Sequence, residues 1–266
     1  MFPPELPPVS NRVLYVYRVL MKWFSFFIFG LFSLIMVFTV FPPMRLFLFS
    51  KQRFKKYARR LVSFFMRCFI FFMNFARIVN LEVENKKSYR QLSSKIIVAN
   101  HPSILDIVML ISLIPNTDCI VANHLSKGIL SGIVRQLYIL NSHDLSDILK
   151  ACDESLKEGN CLIIFPEGTR TPRSGKITIK KGAARIAIYS GCSIVPLHIG
   201  GTDKYGLGKR DPWTGFNPTE RYIYRISIKP EIHPEQYKNL SGPAATQALT
   251  NDIKASLFPE LLQTND

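Results

Sequence analysis

Two short runs hold the residue types that could do chemistry. They are Ala99-Asn100-His101-Pro102-Ser103-Ile104-Leu105-Asp106 and, about sixty residues on, Phe165-Pro166-Glu167-Gly168-Thr169-Arg170. A histidine followed at a short interval by a carboxylate is a general base with a partner that can fix its tautomer and stabilise its cation. A Glu-Gly-Thr-Arg turn after an apolar strand offers backbone N–H groups and a guanidinium, which grips phosphate in a bidentate way. Lys181, next to Lys180 and just ahead of Gly182 at a predicted helix start, adds a cation there. Together these are the parts for acyl transfer to a hydroxyl on an anionic acceptor. Ser-x-x-Asp is also a helix-capping pattern, so Asp106 has a second reading as a cap. Ser103 lacks the Gly-x-Ser-x-Gly elbow of a nucleophile. His124, His143 and Asp144 make no zinc spacing with His101, and no metal is expected.

These side chains need a scaffold. Short apolar runs at 96–99, 119–122, 161–165 and 194–199 have the length and composition of buried strands, and 221–228 alternates like a half-exposed one. Helical patterns at 104–114, 126–137, 145–157 and 182–190 separate them, which predicts an α/β fold with helices flanking a central mixed sheet. His101 then follows a strand almost directly, at the end where α/β sites lie. Pro102 forces a turn, Ser103 can cap the next helix, and Asp106 falls in its first turn. The stretch 200–217 is Gly-, Asp- and Pro-rich and is predicted to be a loop. A last helix is expected from Ser241-Gly242-Pro243 to about 262, with Pro259 shortening or kinking it.

The formal net charge of +15 is concentrated at one end. Residues 1–80 hold 17 of the 20 phenylalanines and 12 Lys/Arg against the single acid Glu5. The 19 residues 23–41 carry no charge, and as a helix they would be roughly 28 Å long, near the hydrocarbon thickness of a bilayer. Pro42-Pro43 is expected to end that helix. The larger basic cluster follows it, from Arg45 to Arg60, which the positive-inside rule places in the cytoplasm. A second apolar run, 61–75, is interrupted by Arg67 and is too charged to span. Arg53, Lys56, Arg60 and Arg67 form a stripe beside a Phe face, as in a helix lying at the interface or one packed on the catalytic part. Spanning and single-leaflet insertion both fit the first helix. The uncharged run excludes a soluble nucleic-acid binder. Three parts are expected: membrane-embedded helices in 1–80, a catalytic domain in 81–240 and a C-terminal helix in 241–266. The five cysteines form no Cys-x-x-Cys pair and are expected as free thiols in a reducing compartment.

His-x-x-x-x-Asp at 101–106 and Phe-Pro-Glu-Gly-Thr-Arg at 165–170 closely resemble the glycerolipid (lysophosphatidic acid type) acyltransferase family, over roughly residues 80–205. Lys181-Gly182-Ala183-Ala184 and Ile194-Val195-Pro196-Leu197 look like its remaining blocks. The resemblance implies an O-acyltransferase of phospholipid synthesis that draws its acyl group from acyl-CoA or acyl-carrier protein, with membrane lipids as partners and no other cofactor. His101 would deprotonate the acceptor hydroxyl and Asp106 would orient it, while Glu167, Gly168, Thr169, Arg170 and Lys181 would position the acceptor. Backbone N–H groups near 101–103, or Lys127, would hold the oxyanion. One departure stands out: the family's second block carries an Arg for the acceptor phosphate, and the stretch 135–144 has none at that place. A specialised acceptor (a lyso-aminolipid, a glycolipid or an aryl-polyene head group) is therefore the alternative to 1-acylglycerol-3-phosphate. A second alternative is a lipid-binding relative without activity.

Overall fold

The computed structural model describes residues 6–121, 137–140, 144–173 and 177–259. The chain opens with α1 (Arg12–Ile35), whose first turn is capped by the Asn11 side chain accepting the Leu14 N–H at 3.0 Å. A π-helical turn (Met36–Val40) leads directly into α2 (Phe41–Phe47). Pro42-Pro43 therefore does not end the helix, contrary to the expectation from sequence. Both prolines lie in the first turn of α2, where a missing N–H needs no partner, and the wider turn before them absorbs the break in the ladder. The 36 residues Arg12–Phe47 are long and apolar enough to cross a membrane by length and composition. Phe27, Phe38 and Phe47 stand out from this helix, each more than three-fifths exposed.

α3 (Lys51–Phe75) starts at Ser50 and presents two faces. Phe54, Ala58, Val62, Met66, Phe69 and Met73 are buried against the rest of the fold, and Phe29 of α1 packs its ring on Phe65 and Phe69 at 5.6 and 5.0 Å. Arg53, Lys56 and Arg60 remain exposed, alongside Phe64, Phe71 and Phe75. The helix is thus packed on the domain and still keeps a basic and aromatic outer surface. Arg59 turns the other way, into the interior, and pairs with Asp118 at 2.6 Å with both side chains almost fully buried.

The strands are β1 (Val79–Val83), β2 (Ile96–Ala99), β3 (Thr117–Val121), β4 (Ile139–Leu140), β5 (Cys161–Ile164), β6 (Ile194–Gly201) and β7 (Tyr222–Ile228). They form one mixed sheet in the order β1-β7-β6-β2-β5-β3-β4, parallel throughout except for the β6–β7 pair. Alternate residues of β2 serve opposite layers. Ile97 and Ala99 join a core with α3 and α5 (Asp106–Leu113), whereas Ile96 and Val98 join one with α6 (Leu145–Lys157), α7 (Gly182–Ser190) and α8 (Gly242–Leu257). A further short helix, α4 (Lys86–Gln91), follows β1 in the chain. The helix expected at 126–137 lies almost wholly outside the described residues. α8 ends at Leu257, two residues before Pro259 and short of the predicted end. Cys119, Cys152 and Cys161 are buried free thiols, while Cys68 is exposed on the outer side of α3.

Candidate active site

β2 delivers His101 to the carboxyl end of the central parallel strands. Asn100 is fixed first: its side chain accepts the Ile199 N–H at 2.7 Å and donates to the Ile199 carbonyl at 2.9 Å, which locks the end of β2 to β6. The His101 N–H is shared between Glu167 Oε1 at 3.0 Å and Thr171 Oγ1 at 3.1 Å, and the Thr171 N–H returns to the His101 carbonyl at 2.7 Å. The Phe165 ring stacks on the imidazole with centroids 4.0 Å apart. The two sequence runs therefore meet.

His101 Nδ1 lies 2.8 Å from Asp106 Oδ2. The same oxygen accepts the Ser103 N–H at 2.7 Å, and Asp106 Oδ1 accepts the Ser103 hydroxyl at 2.5 Å. Asp106 is thus both a turn-closing acceptor and the partner of His101. α5 starts at Asp106 itself, so Ser103 closes the turn before the helix rather than capping it in the expected frame. Asp106 is completely buried and the His101 side chain is 18% exposed. A carboxylate that can only accept assigns the proton to Nδ1, which leaves Nε2 as the acceptor of the ring. Ser103 Oγ is itself fully buried and bonded to Tyr224 Oη at 2.7 Å, which closes it to substrate.

The structure also relocates several expected roles. Glu167 points inward, 4% exposed, with Oε1 on His101 and Thr171 and Oε2 without a partner among the described residues. Burial raises its carboxyl above the usual range, and the bonds from Thr171 and the His101 N–H only partly oppose this. Its place is under the His101 backbone, not in an open head-group site. Gly168 adopts φ +67°, and a Cβ there would come within 2.4 Å of Lys180 Nζ. Thr169 is exposed, and Lys181 is exposed at the cap of α7. The backbone N–H groups near 101–103 are all committed: His101 to Glu167 and Thr171, Ser103 to Asp106, while Pro102 has none. They do not form the expected oxyanion hole. Lys127 and Arg135 lie outside the described residues.

Arg170 donates from Nη1 to the carbonyls of Leu207 and Gly208 at 2.9 and 2.7 Å, which ties the 165–170 turn to the loop after β6. Two further cations hold that loop. Arg173 pairs with Asp203 and Asp211, and Lys22 of α1, fully buried, donates to the carbonyls of Trp213 at 2.6 Å and Gly215 at 2.5 Å. A cleft of about 160 Å³ opens between the loop and the turn, lined by Ile104, Arg170, Arg210 and Trp213 among others. Its one acid, Asp211, is neutralised by Arg173 and accepts the N–H groups of Gly206 and Gly208. Trp213 also packs against Trp23 and Phe26 of α1, at 6.2 Å in each case. Sequence alone placed none of Lys22, Arg173, Lys204 and Tyr224 in the site, because each has partners that are distant in the chain. Among the described residues, no three His, Cys, Asp or Glu come together as a metal site.

A catalytic-type His–Asp pair on a mixed α/β sheet defines the class, and comparisons with known proteins agree. A family model described as Acyltransferase matches residues 80–200. The 1-acyl-sn-glycerol-3-phosphate acyltransferase of Helicobacter pylori is 30% identical over 171 residues, covering 61% of this chain and 70% of the relative. The chloroplastic 1-acyl-sn-glycerol-3-phosphate acyltransferase LPAT1 of Arabidopsis thaliana is 35% identical over 113 residues, which is 40% of this chain and 32% of that one. The chain spans about a third of the length of the plant relatives it matches. The crystal structure of the 1-acyl-sn-glycerophosphate (LPA) acyltransferase PlsC from Thermotoga maritima shares the fold, with TM-score 0.61 and 21% identity over 92% of this chain and 94% of that one. The chain belongs to the glycerolipid (1-acylglycerol-3-phosphate type) acyltransferase family.

Proposed function

We propose that this protein moves a fatty acyl group from the thioester of acyl-CoA or acyl-carrier protein to the hydroxyl of a lysophospholipid, with 1-acylglycerol-3-phosphate as the leading acceptor. His101 Nε2 takes the hydroxyl proton as the oxygen attacks the thioester carbon, and Asp106 stabilises the imidazolium that forms. The tetrahedral intermediate collapses, the C–S bond breaks, and the proton passes from His101 to the departing thiolate. A thioester is already activated, so neither an acyl-enzyme nor a metal is required. The observation that carries this reading is the 2.8 Å contact between His101 Nδ1 and Asp106 Oδ2; a carboxylate acceptor there calls for the proton on Nδ1 and leaves Nε2 to accept.

The cleft lined by Ile104, a residue of the turn between His101 and Asp106, supports an anionic acceptor. Arg170 and Arg210 face it with Asp211 already neutralised, so a phosphate finds net positive charge. Arg210 can thereby supply the cation missing from the second sequence block. Ile104 and Trp213 give the cleft an apolar wall that continues onto α1. A lysolipid held by the bilayer could therefore reach His101 with its chain still in apolar surroundings. The basic cluster after the first helix supports a catalytic domain on the cytoplasmic face.

Thioester consumption by detergent-solubilised protein tests the proposal, with both donor types and lysophosphatidic acid offered beside His101→Ala and Arg210→Ala. We expect no turnover above background with His101→Ala, and about tenfold weaker KM for lysophosphatidic acid with Arg210→Ala. Undiminished turnover in His101→Ala would overturn the mechanism. Turnover only with a total lipid extract would move the acceptor to a specialised lipid.

A further inference from the structure

The hydrogen bonds around Asp106 continue inward past the residues that the reaction uses. Ser103 Oγ gives its only proton to Asp106, so the 2.7 Å contact with Tyr224 must be donated by the tyrosine. Ser103 also accepts the Leu105 N–H at 3.3 Å, which completes its acceptor capacity. Tyr224 is fully buried on β7, and burial together with the nearby Asp106 raises its phenol well above the usual value, so it stays a donor. Behind its ring, at 4.6 Å from the centroid, lies the ammonium of Lys204. That side chain is 1% exposed and donates to the carbonyls of Thr202, Ile223 and Gly200. Burial pushes the Lys204 ammonium down to about 8, with Asp106 the largest opposing attraction and Asp203 the next. The chain therefore runs from a buried cation through a phenol and a hydroxyl to the carboxylate of the base.

We infer that Tyr224, through its bond to Ser103 and on to Asp106, and Lys204, through its buried charge behind the Tyr224 ring, are positioning residues that set the basicity of His101; this rests on His101 being the base. The carboxylate beside an imidazole favours its protonated form, and too strong a pull would leave the base occupied at neutral pH. Hydrogen bonds into Asp106 spread its charge, and the Lys204 cation opposes a second positive charge on His101. Among the described residues, the charged or titratable groups to weigh near the His101–Asp106 pair come from the 165–170 turn, the loop after β6 and β7. They are Glu167 beneath the His101 backbone, Arg170 tied to the loop carbonyls, Lys204 and Tyr224. Of these, only Tyr224 is bonded to Ser103, and so only it reaches Asp106 by this route.

The test is the pH dependence of kcat/KM in the full-length protein for Tyr224→Phe and Lys204→Met, beside His101→Ala. Tyr222→Phe serves as the control. Tyr222 lies on the same strand, is equally buried and bonds the Tyr205 carbonyl at 2.6 Å, but it has no bond to Ser103 or Asp106. The acid limb should move to higher pH by about half a unit in Tyr224→Phe and about one unit in Lys204→Met, with KM for the lysolipid unchanged. In Tyr222→Phe it should stay in place. An unmoved acid limb in Tyr224→Phe, matching the control, would overturn the inference, even if Lys204→Met fails to fold. Retained turnover in His101→Ala would instead overturn the assignment of the base, and this inference with it.

Discussion

Replacing Asp106 by Asn removes one charge and leaves the shape of the side chain intact. The local bonds decide what else changes. The oxygen now at Oδ2 receives the backbone N–H of Ser103, and a backbone donor cannot reverse. The amide of Asp106→Asn must therefore keep its oxygen there, facing His101, and turn its NH2 toward Ser103. Ser103 can then redirect its proton to Tyr224, whose hydroxyl is able to accept. The His101 tautomer survives, and the loss is the stabilisation of the imidazolium alone. For unit charges about 4 Å apart at an effective dielectric near 20, that is about 4 kcal/mol. It corresponds to about a thousandfold in rate, short of the ~10⁴-fold expected when an amide flips and inverts the tautomer. In the thioester assay kcat should fall about a thousandfold with the lysolipid KM within about twofold. The acid limb of the rate profile should move to lower pH, because the imidazolium has lost its counter-charge. A fall in kcat of less than tenfold, or a loss confined to KM, would refute this account of Asp106.

Other expectations follow from the same contacts. Arg59→Ala leaves Asp118 buried beside Ser155 without its cation, and should cost about 3–5 kcal/mol in denaturant unfolding. Arg59→Met combined with Asp118→Leu should recover most of that loss. For Glu167, whose carboxyl is raised by burial, the folded protein holds the proton more tightly than the unfolded chain. Stability from this group is therefore present below the ordinary glutamate range and lost as pH rises through the raised value. Glu167→Gln should accordingly have a higher Tm than wild type at pH 7.5 and a nearly equal one at pH 4; a constant difference across that range would contradict the sign. Gly168→Ala must both adopt φ +67° and displace the end of Lys180, and should lower stability by about 1 kcal/mol in thermal melts.

What the sequence discloses depends on how local the cause is. β2, β5 and β6 are apolar on both faces and bounded by turns, so their runs stand out directly. β1 reads Val-Asn-Leu-Glu-Val and β4 is two residues long, so neither rises above the loops around it. β3 starts earlier than expected because Thr117 and Asp118 are buried, and an acid in a strand core is tolerable only with Arg59 opposite. That pairing joins positions 59 residues apart and leaves no local trace. The His101–Asp106 pair was legible because one turn closes it. Tyr224 meets Ser103 across 121 residues and was not. Pro42-Pro43 misled because proline forbids a bond, not a helix, where the bond is already missing.

Lys22 gives the long apolar N-terminal helix a task inside the fold. Its ammonium is the hub on which the carbonyls of Gly206, Trp213 and Gly215 converge, so the wall of the proposed acceptor cleft is built around a group donated by α1. A fragment trimmed at residue 80 for solubility would lose that hub, and three oxygens would face one another with no cation between them. The cleft would spread or collapse while the His101–Asp106 pair stayed whole. Such a fragment would be a poor guide to acceptor preference, because the part that looks dispensable for chemistry is a structural member of the cleft proposed to choose the acceptor.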